Sequence, residues 1–117
     1  MANPVAWFEI TGKDADALQR FYSGVFGWEY DQAPGPMKYG MVSAGDGGIG
    51  GGVGQAQEGP GHVTIYVQVD DPQAYLDKIE QQGGKTVVPV TEIPNMVTFA
   101  LFSDPEGHLV GLFKGQN

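Results

Sequence analysis

Apolar residues recur along the first quarter of the chain at two spacings, which predict a strand followed by a helix. Val5 to Thr11 is a short strand-like run, and Gly12 to Asp14 forms a turn that ends in a candidate helix N-cap. Behind Asp14, apolar residues recur every three or four positions until Gly27, which is typical of a helix with one face packed on a sheet. The residues of this apolar stripe are Ala15, Leu18, Phe21, Tyr22, Val25 and Phe26.

Two more strands are predicted before a segment dense in glycine. Trp28 to Gln32 and Lys38 to Ala44 have strand-like patterns and are separated by the breaker Ala33 to Pro36. Glycines dominate residues 45–54, although Ile49 to Val53 still favours a short strand. Such glycines suit a bulge or the close approach of a ligand or another backbone. A phosphate-binding loop is not indicated, because no Gly-Lys-Ser/Thr motif and no helix follow. Whether this segment moves as a lid is left open.

The second half repeats the order of the first. A polar connector, Gln55 to Gly61, precedes a β-branched strand from His62 to Val69. Asp70 and Asp71 stand directly before Pro72, which predicts helix-capping groups rather than paired catalytic carboxylates. The predicted helix carries Tyr75, Leu76 and Ile79 and ends at Gly83 and Gly84, and three strands follow at Lys85 to Val90, Met96 to Ser103 and His108 to Phe113. Asp104 to Gly107 has the composition of a turn joining the last two strands.

This order of elements predicts an internal duplication of a βαβββ unit. We therefore expect an α+β fold in which two βαβββ modules form a cupped mixed sheet around a shared cleft, where a small molecule can bind. The expected organisation is one domain over residues 1–117, with a first module at 1–57 and a second at 58–117. A chain of 117 residues with 41% apolar content is consistent with one core.

Charge and composition exclude several function classes. A net charge of -8 disfavours binding to nucleic acid or to anionic lipid surfaces. The absence of cysteine excludes disulfides, thiolate metal sites and thiol nucleophiles. No run of apolar residues is long enough to cross a membrane, and the N-terminus has no signal-peptide pattern, so a cytoplasmic location is expected.

Three stretches resemble the vicinal oxygen chelate superfamily, which includes glyoxalase I, bleomycin-resistance proteins and extradiol dioxygenases. They are the opening Trp7 to Trp28, the middle Val67 to Gly84 and the closing Phe102 to Leu112. The resemblance implies the duplicated fold and a homodimer. In its metalloenzymes, histidine and carboxylate ligands occupy four equivalent strand positions. Here those positions fall on Trp7, Thr64, Gly111 and the stretch 48–53, and none carries a usual donor.

Because indole and glycine side chains provide no metal ligand, we expect no metal cofactor at the family site. Glu9 and His62 lie two residues from Trp7 and Thr64, on the same sheet faces by alternation, and could act as substitute ligands after a shift of strand register. Trp7 can stack on a planar ligand or fill the core, and Glu9 can line a polar pocket or be solvated. His62 can act as a general base, although the exposed start of a strand is the more ordinary interpretation.

The remaining candidates for ligand contact are residues of the later strands. Thr64 and Tyr66 can offer hydroxyl groups, and Phe99 and Leu101 alternate along one strand as an apolar wall or as core. The full candidate ligand-binding set is Trp7, Glu9, His62, Thr64, Tyr66, Phe99, Leu101 and Gly111. His108 follows a turn glycine and is interpreted as a solvated or loop-packing residue, and the serines lack any triad or nucleophile-elbow motif.

Three functions are compatible with this sequence. The leading hypothesis is metal-independent binding of a small, partly apolar organic molecule in the cleft, as in the antibiotic-sequestering branch of the superfamily. The alternative is a metal-dependent lyase or dioxygenase of glyoxalase type that uses non-standard ligands such as Glu9 and His62. The third is a dimeric accessory protein whose cleft is filled by side chains.

Overall fold

The computed structural model describes residues 2–115 and shows the βαβββ order twice. The elements are β1 (Val5–Gly12), α1 (Ala15–Phe26), β2 (Tyr30–Gln32), β3 (Tyr39–Val42), β4 (Gly50–Gln55), β5 (Val63–Gln68), α2 (Pro72–Gln81), β6 (Lys85–Ile93), β7 (Val97–Ser103) and β8 (Leu109–Gly115). The predicted α+β class and the internal duplication are therefore confirmed. None of the helices in residues 2–115 is long and apolar enough to cross a bilayer.

The chain forms two compact units. The first unit holds residues 7–64, and the second holds residues 2–6 together with 65–115. In the first unit the strands lie in the order β2-β3-β4-β1, with β1 and β4 parallel. In the second unit the order is β5-β8-β7-β6, with β5 and β8 parallel. Each unit thus contains one parallel pair, extended on one side by two antiparallel strands.

Helix α1 begins and ends where the sequence predicts, but its buried face differs from the predicted stripe. The Asp14 carboxylate accepts from the backbone N–H of Ala17 at 3.1 Å, and Gly27 ends the helix in the left-handed conformation at φ 74°. Three residues of the predicted stripe are more than half exposed: Phe21, Val25 and Phe26. Gln19 takes their place against the sheet, since its amide donates to the carbonyl of Val53 at 2.9 Å.

Helix α2 covers the core of the second unit. Asp71 is the N-cap and accepts from the N–H of Ala74 at 3.2 Å, whereas Asp70 is exposed beside it. Leu76 is 2% exposed and packs with Ala100 of β7, Leu112 of β8 and Val69, which directly follows β5. Burial of these side chains is the main favourable term that holds the helix on its sheet.

Several strand limits differ from the predicted ones. Strand β2 starts at Tyr30 because Trp28 packs instead with Phe8 and with Tyr22 of α1, at ring-centroid distances of 5.3 and 5.2 Å. Strand β4 continues to Gln55, the first residue of the predicted connector. The Asp104 turn is confirmed, since the carboxylate accepts from two backbone N–H groups that follow it.

Candidate functional site

Strand β1 presents alternate side chains to opposite faces of the first-unit sheet. Phe8, Ile10 and Gly12 face α1, since a Cβ at Gly12 would meet the Leu18 side chain of that helix at 2.7 Å. Trp7 and Glu9 therefore lie on the face away from α1. Their partners in β4 are Gly50 and Gly52, so the neighbouring strand offers no side chain at either position. The predicted placement of Trp7 and Glu9 on one face agrees with the register of β1.

The glycines of β4 leave room for aromatic rings. Tyr39 begins β3, and its ring lies over Gly52 and Gly54, where a Cβ at either glycine would overlap it. A Cβ at Gly50 would lie 3.2 Å from the indole of Trp7. The glycine-dense segment thus accommodates side chains packed flat on the backbone. Its residues 51–54 are paired on both sides, by β1 and β3, which does not suit a lid.

A row of hydrogen bonds crosses this face. The indole N–H of Trp7 donates to the hydroxyl oxygen of Tyr39 at 3.1 Å, and that hydroxyl donates to Oε2 of Glu9 at 2.9 Å. The other carboxylate oxygen, Oε1, lies 2.7 Å from Nε2 of His62. We call Trp7, Tyr39, Glu9 and His62 the polar row. It joins three candidates from the sequence through a fourth residue, Tyr39, that sequence reasoning missed.

His62 is held in the polar row by its own backbone. It exchanges two backbone hydrogen bonds with Thr11 of β1, at 2.8 and 3.2 Å. Gly61 before it has φ 89°, a conformation that favours glycine, and a Cβ there would overlap the carbonyl of Thr11. His62 directly precedes β5, as predicted, but it is not the exposed residue that this position suggests. Its side chain is 28% exposed and directed at the Glu9 carboxylate, and no shift of strand register is needed to bring them together.

The electrostatics of the polar row favour a protonated tyrosine. Burial raises the pKa of Tyr39 far above its usual value, and the nearby negative charge of Glu9 raises that pKa further. Tyr39 therefore remains a hydrogen-bond donor to Glu9 throughout the physiological range. The Glu9 side chain is only 15% exposed, so these bonds compensate part of the cost of burying its carboxylate.

The donor set of the polar row does not fit a metal ion. No cluster of three or more His, Asp or Glu side chains suited to a metal occurs within residues 2–115. The two donors present, Glu9 and His62, bond to each other at 2.7 Å, and the neighbouring Tyr39 keeps its proton. Divalent transition metals need three or four converging deprotonated ligands, which this row does not offer.

The other candidate residues are divided between the two units. Thr64 is 4% exposed in the first unit, where the polar row lies. In the second unit, Tyr66 is 7% exposed and its ring covers Gly111, its partner in β8, where a Cβ would overlap the ring. Leu101 of β7, the strand on the other side of β8, also pairs with Gly111. Phe99 lies two residues before Leu101, on the same face of β7.

His108 lies apart from these residues, in the turn between β7 and β8, which confirms the prediction that it is a solvated loop residue. Its ring is 72% exposed, and its Nδ1 is 3.0 Å from Oδ2 of Asp104 within the β7–β8 turn. The two histidines of the chain thus contact a carboxylate through different ring nitrogens.

A protein-family model, curated proteins and solved structures each match most of this chain. Residues 7–113 match the family described as "Glyoxalase-like domain". The chain is 31% identical over 115 residues to "Putative glyoxylase CFP32" of Mycobacterium tuberculosis (strain CDC 1551 / Oshkosh), covering 92% of this chain and 44% of that protein. It is 28% identical over 126 residues to "Anthracycline biosynthesis protein DnrV" of Streptomyces peucetius, covering 93% of this chain and 46% of that protein. The chain spans about half the length of these curated relatives.

A solved structure shows the same fold. A variant of Streptomyces coelicolor methylmalonyl-CoA epimerase in complex with 2-nitronate-propionyl-CoA superposes with a TM-score of 0.72. The match covers 98% of this chain and 96% of the epimerase chain at 17% sequence identity. At that identity the likeness concerns the fold alone.

Proposed function

Because this chain belongs to the glyoxalase-like domain family of the vicinal oxygen chelate superfamily, we propose that it binds a small, partly apolar organic molecule against the polar row. The observation that carries this proposal is the hydrogen-bonded array of Trp7, Tyr39, Glu9 and His62 on the sheet face away from α1. The array combines a large aromatic surface with polar groups fixed in orientation, as in most small-molecule sites.

The chemistry of the row selects a class of ligand. Trp7 offers an aromatic face for stacking on a flat ring, and its N–H is already committed to Tyr39. The Glu9 carboxylate and the net charge of -8 disfavour anions. The preferred ligand is therefore a neutral or cationic aromatic compound with a hydrogen-bond donor. The name of the relative from Streptomyces peucetius, an anthracycline biosynthesis protein, supports an aromatic ligand.

The two other hypotheses have less support from the geometry. A metal-dependent lyase or dioxygenase would have to break the 2.7 Å contact between Glu9 and His62 to use both as ligands. The accessory-protein hypothesis predicts that no ligand stabilises the protein. Homodimer formation and a cytoplasmic location stay predictions from the sequence, and the activity of the longer relatives extends to this chain only as a proposal.

The two tryptophans provide a direct binding test. Trp7 belongs to the polar row, whereas Trp28 packs with Phe8, Tyr22 and Phe26. In the Trp28→Phe variant all indole emission comes from Trp7, and in Trp7→Phe all of it comes from Trp28. The probe is 5-nitroindole, a flat, neutral molecule whose nitro group quenches indole fluorescence and whose N–H can donate to a ring nitrogen.

We expect 5-nitroindole to quench Trp28→Phe saturably and to raise its melting temperature, since a ligand that binds only the folded state stabilises it. Trp7→Phe should show only the linear quenching of a collisional process. Equal, unsaturable quenching in both variants would contradict the proposed function. Saturable quenching that requires added nickel or zinc would favour the metal-dependent alternative.

A further inference from the structure

The polar row leaves one nitrogen of His62 without a hydrogen bond. Nε2 is 2.7 Å from Glu9, while Nδ1 accepts and donates no hydrogen bond within residues 2–115. An ionised carboxylate only accepts, so a neutral His62 places its proton on Nε2 and its lone pair on Nδ1. The side chain is 28% exposed, so this lone pair belongs to a ring that a ligand can reach.

The Glu9 carboxylate also faces this ring directly, at 2.7 Å from Nε2. If Nδ1 takes up a proton, His62 becomes an imidazolium whose positive charge lies beside the Glu9 carboxylate. Tyr39 holds that carboxylate from the other oxygen at 2.9 Å, which limits its rotation away from the histidine. A carboxylate that orients a histidine through one nitrogen while the other nitrogen reacts is a recurrent arrangement for proton transfer.

We propose that His62 is a general base that removes a proton from the neutral aromatic ligand bound against Trp7, with Glu9 as its positioning residue. This proposal rests on the proposed function and adds a reaction class to it. In the step, a C–H proton of the ligand moves to Nδ1, and the electron pair of that bond stays on the ligand. Return of the proton to another atom of the ligand completes an isomerisation that needs no metal and no co-reactant.

The test uses a substrate with the shape of the binding probe. In 5-nitrobenzisoxazole, a base takes the single proton on the carbon beside nitrogen, and the electrons of that bond become the third bond of a nitrile. The N–O bond breaks and the electron pair leaves on oxygen as 2-cyano-4-nitrophenolate, a coloured product, while the proton passes from His62 to water. The assay therefore reports base strength and placement without knowledge of the natural substrate.

We expect saturable ring opening by the full chain, lowered about 100-fold or more in kcat by His62→Gln, in line with the usual contribution of a general base. Glu9→Gln should lower kcat more than it raises KM, because the ring loses its orientation and its counter-charge. A merely structural role of Glu9 would instead weaken binding of both probes. His108→Gln is the matched control and should retain the full rate, because that residue lies in the β7–β8 turn.

A second measurement does not depend on turnover or on a folded variant. Nitrogen-15 NMR of the full chain reports the tautomer of each histidine, and the chain has only 2. We expect the Nε2–H form for His62 and the Nδ1–H form for His108, whose Nδ1 faces Asp104.

The outcomes separate the two proposals. Binding of 5-nitroindole without ring opening above the His62→Gln level, or an Nδ1–H tautomer at His62, overturns the general-base proposal and leaves the binding function intact. Failure of 5-nitroindole to bind overturns both.

Discussion

Replacement of Gly52 by alanine tests whether the glycines of β4 exist to admit the Tyr39 ring. The added Cβ would overlap the hydroxyl end of Tyr39, so the ring must leave the sheet surface. Because φ of Gly52 does not lie in the left-handed region, the backbone itself accepts alanine. The whole cost therefore arises from displacement of Tyr39 and from the hydrogen bonds that it makes to Trp7 and Glu9.

Two destabilising effects and one smaller stabilising effect determine the expected change in the free energy of unfolding. Overpacking a filled site costs about 1–3 kcal/mol. Loss of the bond to the Glu9 carboxylate, which is 15% exposed, adds about 1.5–3 kcal/mol. The stiffer unfolded chain of an alanine variant returns about 0.4–1 kcal/mol. We therefore expect Gly52→Ala to lower the free energy of unfolding by about 1.5–5.5 kcal/mol.

Urea denaturation followed by circular dichroism measures this change directly, with the m-value as a check on the unfolded state. Gly48→Ala is the matched control, because its Cβ would meet nothing closer than 3.8 Å. A double-mutant cycle with Tyr39→Ala isolates the overlap, since Gly52→Ala should then cost almost nothing. If Gly52→Ala is as mild as Gly48→Ala, or if the cost persists without the Tyr39 side chain, the reasoning is refuted.

Three further predictions concern other positions. The pKa of Tyr39 is raised in the folded protein, so its contribution to stability is complete below about pH 10 and declines above it. In unfolding titrations, Tyr39→Phe should therefore lose less stability above about pH 10 than the unchanged protein. An equal loss of stability in both would contradict this. Gly111→Ala should destabilise the second unit by about 1–3 kcal/mol through overlap with Tyr66, measured by urea unfolding; an unchanged midpoint would show that the ring moves freely. Asp71→Ala should cost about 1 kcal/mol through loss of the α2 N-cap, whereas Asp70→Ala should leave thermal stability nearly unchanged.

Local signals in the sequence were sufficient for most of the fold. The helix caps at Asp14 and Asp71 and the turn at Asp104 form hydrogen bonds with residues two to four positions away, so the sequence shows both partners together. The repeated order of strands and helices, which is also visible in local patterns, indicated the duplication. The buried face of α1 was less predictable, because the exchange of Phe21 for Gln19 depends on a carbonyl of β4.

The candidate site was only partly predictable. Period-two alternation places Trp7 and Glu9 on one face, and this holds for any strand of that sequence. Tyr39 could have been suspected from the alternate glycines of β4, since a strand without side chains leaves space for a ring from its neighbour. That signal becomes specific only when the register between β3 and β4 is known.

By itself the sequence determined which elements form and which residues of β1 share a face, because capping, turn chemistry and alternation act over a few residues. The tertiary structure alone decided that Glu9 meets both Tyr39 and His62, at separations of 30 and 53 residues along the chain. Those contacts depend on the register of three strands and on the conformation of Gly61, neither of which any local pattern encodes. The polar row therefore arises from contacts between residues that are far apart in the sequence.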